Sequence, residues 1–276
     1  MKTRVLVAFL GILLATSSLL QADPQFTPEE VAERTKWEEF LETAAIVEQE
    51  QMLSRQAVTE PWKLTLEKDG VKRYALWKDV QGRVRGALES WKWEIAAYRL
   101  DKYLGLHMIS PTVERRFLGD PGSSQLWVDS WADLREIATK NIEVPKDKSI
   151  LWLRSYYLQQ AFDNLIANED RHLGNVLVTS DWRKILIDHS RTFRTSRKFT
   201  RQLTFTSEKY GGEFIMRELP RSFVERVRAL DFDRLREIAG PYLTDKEIRA
   251  ILARKKLLLE EIERRIELFG ENNVLY

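Results

Sequence analysis

Cysteine is absent from this 276-residue chain. That absence excludes disulfides, a thiol nucleophile and cysteine-based zinc sites, and it means an oxidising compartment would do the chain no harm. Histidine is scarce, at three residues, which argues against a structural zinc centre. An excess of one charge sign is lacking too, since 44 Lys and Arg face 42 Asp and Glu. A net charge of +2 gives a nucleic-acid partner no support, and the interspersed signs describe a solvated surface. There are no repeats, no low-complexity tract and no G-x-G-x-x-G run, so a standard glycine-rich phosphate loop is not claimed. Only residues 5–15 form a long apolar run, behind the basic Lys2 and Arg4. That run is shorter than the roughly 20 residues that span a bilayer. We therefore read residues 1–22 as a secretory signal peptide, cut between Ala22 and Asp23, in preference to a membrane anchor. The mature chain is expected to be exported, periplasmic or extracellular, with no transmembrane segment.

What is present fits a folded protein of one or two domains, 43% apolar and 31% charged. Thr27-Pro28-Glu29-Glu30 is a helix start, with a cap, a proline at the first helical position and acids in the first turn. It predicts a helix over 28–51 within a helical lead-in, 23–60, that braces the strands after it. Alternation over 62–66 and 71–80, around the turn Lys68-Asp69-Gly70, predicts two strands and puts Lys78 late in the second. Gly82 and Gly86 flank Arg83 and Arg85 in a flexible connection. A strong helix is expected over 90–106, a strand from Pro111, a turn over 119–124 and a strand beside a hinge over 126–128. A long apolar helix over 149–168 and a final helix from Thr244 to about Phe269 complete a helical second half.

The most informative stretch is residues 162–188, FDNLIANEDRHLGNVLVTSDWRKILID. It gathers Asp163, Asn168, Asp170, His172, Asn175 and Asp188 around two short strands with SDWR as their turn. An Asp, an Asn five residues on and a second Asp after a hairpin is the set that metal-assisted phosphoryl transfer needs. One carboxylate orients the acceptor, while an amide and a carboxylate hold a divalent cation on the phosphates.

This segment resembles the D-R-H-x-x-N catalytic loop and metal-binding strand of atypical kinases, namely the phosphatidylinositol 3/4-kinase-like, HipA-like and secretory-pathway groups. A second stretch, Glu94-Ile95-Ala96-Ala97-Tyr98-Arg99-Leu100-Asp101 through Pro111-Thr112-Val113, resembles a helix of the secretory-pathway and HipA-like kinases. Taken singly, Lys78 reads as a strand-end lysine and Glu94 as a surface glutamate. The resemblance is what pairs them, Lys78 on the nucleotide phosphates and Glu94 as its helix partner. It spans residues 61–276, and it is specific in 78–113 and 162–188.

The resemblance implies an α+β, two-lobed protein-kinase-like fold. Its N-lobe, 61–130, has a small antiparallel sheet with one helix, and its C-lobe, 131–276, is mostly helical. It implies ATP with Mg²⁺ or Mn²⁺ as cofactors, Asp170 as acceptor-orienting base, Asn175 and Asp188 as metal ligands, and His172 supporting the loop or approaching the acceptor. Arg171 holds a phosphate or pins Asp188, and Asp163 and Asn168 bond the loop. The implied reaction moves the γ-phosphate of ATP to a hydroxyl on a protein, lipid or small molecule. A pseudokinase scaffold of the cell envelope and a nucleotidyl transferase on the same fold are the alternatives. One departure stands out. His189-Ser190 follows Asp188 where relatives place a turn glycine, which leaves His189 free to approach the metal or the phosphates. Residues 193–208, with the basic run Arg191, Arg194, Arg197, Lys198 and Arg201, occupy the activation-segment position, where the run either steers an acidic acceptor or a phosphorylated lipid headgroup or is simply solvated.

Overall fold

A computed structural model describes residues 26–52, 60–206 and 215–276. The expected signal peptide lies outside the described residues. The first lobe is a five-stranded antiparallel sheet in the order β1-β2-β3-β7-β6, from β1 (Ala45–Gln51), β2 (Trp62–Lys68), β3 (Val71–Lys78), β6 (Thr112–Phe117) and β7 (Asp120–Leu126). A separate hairpin, β4 (Gln81–Val84) with β5 (Ala87–Ser90), is inserted between β3 and helix α3 (Trp91–Leu104). Ser90 caps α3 by accepting from Lys92 N–H, and Gly105 ends it in the left-handed conformation at φ 71°.

The lead-in is not one helix. It forms α1 (Pro28–Ala32) and α2 (Arg34–Thr43), and then turns at Ala44 into β1. Glu48 to Gln51 have good helical propensity, but tertiary pairing overrides it. β1 runs antiparallel to β2 at the sheet edge, with its side chains almost all in solvent. Because β1 and β2 form a hairpin, Met52 N–H reaches the Pro61 carbonyl at 2.8 Å, and both residues line the central cavity. The strand expected near 126–128 begins earlier, at Asp120, and the expected turn shrinks to Leu118-Gly119.

One core of the lobe lies between α2 and the sheet, where Phe40 and Leu41 meet Leu64, Leu66, Trp77, Val113 and Phe117. Gly122 makes this packing possible at close range. A Cβ there would lie 2.5 Å from the Lys78 carbonyl and 2.6 Å from the Trp77 indole, both in a rigid strand. Gly122→Ala is therefore expected to destabilise the fold by about 1–3 kcal/mol through overpacking, read as a lowered melting temperature.

The second lobe is built on α5 (Ser149–Ile166) and α9 (Asp245–Phe269). Around them lie α4 (Leu134–Thr139), α6 (Arg197–Arg201), α7 (Arg221–Arg228), α8 (Phe232–Ala239) and α10 (Glu271–Val274). A three-stranded sheet, β10-β9-β8, completes it, from β8 (Ala132–Asp133), β9 (Val176–Val178) and β10 (Lys184–Leu186). Its apolar core takes in Phe162, Leu165, Val227, Ile251 and Ile262, and extends into Trp93, Ala97, Leu100 and Leu104 of α3. Helix α3 is thus buried on both sides and joins the lobes. Among the described residues no helix is long and apolar enough to cross a membrane.

The loop after α3 holds His107, whose pKa is pushed down to about 4 by burial and by the guanidiniums of Arg34 and Arg226. Unfolding raises that pKa toward 6.5, so between pH 6.5 and 4 the unfolded chain binds a proton that the folded chain refuses. The stability this gives is fully present above pH 6.5 and is lost as pH falls through about 4. His107→Asn keeps the left-handed backbone at φ 52° and removes the titration. Melting curves from pH 7 to 4 should therefore fall less steeply for the variant than for the parent.

Candidate active site

The two lobes meet at a cavity of about 600 Å³. Leu76, Gln125, Leu126, Trp127 and Val128 line one part, and Lys78, Asp170, His172, Asn175 and Asp188 line another. Lys78 is the last residue of β3, and Glu94 lies in the first turn of α3. Lys78 Nζ stands 2.7 Å from Glu94 Oε1 and 3.1 Å from Asp188 Oδ1. Burial opposes all three charges, but each is held by its neighbours. The carboxylates of Asp188 and Glu94 keep the Lys78 pKa above that of an ordinary lysine. The Lys78 ammonium, aided by His189, holds Glu94 below the usual carboxylate range. Lys78 does the same for Asp188 against the opposing charge of Glu94. The cluster therefore stays ionised at neutral pH, with Asp188 still 38% exposed.

Asp188 resolves the missing glycine. It adopts φ 58° itself, a left-handed conformation that Asp tolerates better than most side chains do. The turn throws His189 inward, where it is fully buried and away from the cavity. The expectation that His189 approaches metal or phosphate is thereby corrected. Its backbone N–H donates to Glu94 Oε2 at 2.8 Å, and its Nε2 lies 2.9 Å from Arg171 Nη2. Arginine can only donate, so Nε2 is assigned as the acceptor and the proton sits on Nδ1 of a neutral ring. Burial, which pushes this pKa down, favours the same state.

Arg171 neither holds a phosphate nor touches Asp188, because its donors are engaged inside the protein. Nε and Nη2 reach the two Asp163 oxygens at 3.0 and 3.1 Å, and Nη1 reaches the carbonyls of Asn175 and Ile187 at 2.9 and 2.8 Å. The effect is to tie the loop before β9 to the end of β10, one residue ahead of Asp188. Asp163 thus acts mainly through Arg171, while Asn168 bonds the loop as expected. Its Nδ2 donates to Asp163 Oδ1, and its Oδ1 accepts from Asp170 N–H, both at 3.1 Å.

Asp170 is held by its main chain. Its carbonyl accepts from Asn175 Nδ2 at 3.1 Å, which leaves the carboxylate facing the cavity. His172 is exposed at the rim and caps the 3₁₀ turn Leu173–Asn175, with Nδ1 accepting from Gly174 N–H at 3.1 Å. It therefore bonds within the loop, and with Nδ1 as acceptor a ring proton is on Nε2.

Two cavity residues escape sequence reasoning. Glu89, buried in β5, accepts from Arg191 Nε and Nη2 at 2.9 and 2.7 Å and from Ser190 Oγ at 3.0 Å. Arg191 Nη1 in turn lies 3.3 Å from Asp170 Oδ2. No local pattern marks Glu89, and in the sequence Arg191 is only one charge in a basic run. Arg194 of that run is likewise engaged, with Glu169 and the Leu88 carbonyl.

A divalent cation would find two oxygen donors here. The Asn175 amide nitrogen is held by the Asp170 carbonyl, so its oxygen is turned elsewhere. Asp188 Oδ1 takes the bonds from Lys78 and Ser190, and Oδ2 makes neither. Among the described residues no cluster of three or more His, Asp or Glu is arranged to hold a metal. This donor set fits a hard ion that takes its remaining ligands from phosphate oxygens and water, rather than a cage made wholly by protein.

No family model and no curated protein matches this chain. Solved structures do. A hydra Fam20, solved with sugar, is 16% identical with a TM-score of 0.63, over 94% of this chain and 96% of that one. A Golgi casein kinase is 18% identical with a TM-score of 0.58, over 88% of this chain and 79% of that one. The Golgi casein kinase with Mn/ADP bound gives 16% and 0.61, over 92% and 80%. The chain therefore has the two-lobed α+β, protein-kinase-like architecture, with an antiparallel-sheet first lobe and a helix-rich second lobe.

Proposed function

With that kinase-like fold as premise, we propose that the chain is a metal-dependent phosphotransferase of the atypical kinase group. It moves the γ-phosphate of ATP to a hydroxyl on a protein, lipid or small molecule. The observation that carries this reading is the ion cluster Lys78–Glu94–Asp188 facing Asp170 and Asn175 across one cavity. Lys78, aimed by Glu94, binds nucleotide phosphates as a fixed positive charge. Asp170 aligns the acceptor hydroxyl and receives its proton late in transfer, before passing it to solvent. The new bond joins the acceptor oxygen to the γ-phosphorus. The bond from that phosphorus to the bridging oxygen breaks, and its electron pair leaves with ADP. Asn175 and Asp188 would hold a Mg²⁺ or Mn²⁺, which would supply charge neutralisation on the phosphates. That one structurally similar protein was solved with Mn/ADP supports this choice of cofactors. His172 keeps the loop in shape and presents Nε2–H at the rim, on the acceptor side.

The proposed organisation is a cleaved signal peptide at 1–22, a lead-in at 23–60 whose β1 joins the first lobe's sheet, and lobes at 61–130 and 131–276. The enzyme would then work outside the cytoplasm. The test uses the chain from Asp23, incubated with γ-labelled or α-labelled ATP and Mg²⁺ or Mn²⁺. Transfer of the γ-label alone is the expected result. Transfer of the α-label would instead identify nucleotidyl transfer. Nucleotide binding without transfer of either label would point to a pseudokinase, and no binding with either metal by calorimetry would sink all nucleotide-dependent readings.

A further inference from the structure

The phosphotransferase reading leaves a buried carboxylate and a cation in the cavity unexplained. Glu89 is almost wholly buried, and its Oε1 receives two N–H bonds from Arg191 while Oε2 receives Ser190 Oγ. Burying a carboxylate is costly, and a single fixed arginine offsets it only through good geometry. The geometry here is good, and it constrains Arg191 strongly. Nε and Nη2 are clamped, and the remaining nitrogen, Nη1, lies 3.3 Å from Asp170 Oδ2 as an ion pair. That contact is longer than the clamp. The clamp is also anchored to both sides of the cleft. Ser90 N–H donates to the Ser190 carbonyl at 3.0 Å, so the β4–β5 hairpin and the segment after Asp188 are one unit.

The location matters because of the charges around it. Asp170 and Asp188 both face the cavity, and an incoming phosphate would be repelled by each. Lys78 is shared between Glu94 and Asp188, and Arg135 stands on the outer rim beside His172. A transferring phosphoryl group spreads negative charge over three oxygens, and a preoriented donor aimed there stabilises it. We propose that Arg191 binds the transferring phosphoryl group through Nη1, exchanging Asp170 Oδ2 for a phosphate oxygen, and that Glu89 is the positioning residue that aims it. This assignment rests on the phosphotransferase reading and adds a contact to it.

The test compares affinity for ADP with affinity for the β,γ-imido analogue of ATP, by calorimetry at constant Mn²⁺. The parent is expected to prefer the analogue. In Arg191→Met the analogue should weaken by about 10- to 100-fold, the range for losing one charge-assisted contact, while ADP stays within about threefold. Arg191→Lys should lose less, because a charge remains without the fork. Glu89→Gln should weaken the analogue more than ADP, which a merely structural role would not do. Because Arg191→Met strands a buried carboxylate, the double variant Glu89→Gln/Arg191→Met keeps the question answerable with the site neutral. It should show the same loss of preference. If the parent prefers the analogue and both Met variants retain that preference, the Arg191 assignment is overturned and the phosphotransferase reading stands. A parent that binds the two nucleotides equally also overturns it. A parent that binds neither removes the phosphotransferase reading and this assignment together.

Discussion

Asp170→Ala is expected to lower phosphoryl transfer by about 10²- to 10⁴-fold, the usual contribution of a positioned general base. Nucleotide affinity should stay within about threefold. The two effects separate because Asp170 supports the loop by its backbone, while the proposed function uses only its side chain. Its N–H donates to Asn168 and its carbonyl accepts from Asn175, and alanine keeps both bonds. Among the described residues the carboxylate pairs with the Nη1 arm of Arg191, which the clamp to Glu89 holds in place without it. Single-turnover transfer of labelled phosphate, set beside calorimetry, reads both quantities. An unchanged rate would remove Asp170 from the chemistry. Equal loss of rate and binding would make it a loop residue.

Asp188→Asn should act at the opposite step and weaken metal-dependent nucleotide binding by at least about 100-fold. An amide retains an oxygen but not the charge that holds a hard divalent cation. Asparagine tolerates the left-handed backbone at φ 58°, so the turn into His189 should survive and the melting temperature should change little. Lys78 would keep Glu94 at 2.7 Å as its partner. Titrating Mn²⁺ into the variant with and without ADP is the measurement. Parent-like coupling between metal and nucleotide would place the ion elsewhere.

Much of the candidate site is legible in the sequence because its residues lie in two short runs with diagnostic spacing. Asp170, Asn175 and Asp188 sit within one loop and hairpin, and the motif around Glu94 can be read as a helix by its apolar positions. The lead-in misleads for a different reason. Residues 45–51 end in the helix-favouring Glu48 to Gln51, and only pairing with β2 makes them a strand. The absent glycine after Asp188 looks like a defect, since nothing local says that Asp188 itself turns the chain. Arg171 has two roles open to it on paper and performs neither, because its partners Asp163, Ile187 and His189 come together only in the folded loop.

By itself the sequence determined the absence of thiol and disulfide chemistry, the strands β2 and β3, the long helices from 90 onward, and the polar set of residues 162–188. These are composition and short-range periodicity, which need no long-range contact to be read. Tertiary structure alone decided that Lys78, Glu94 and Asp188 form one ionised cluster. It also decided that His189 is a buried neutral bolt and that Glu89 clamps Arg191 onto the cavity. Each of these joins residues roughly 16 to 110 positions apart, so the energies that select them arise only when burial removes water from between the charges.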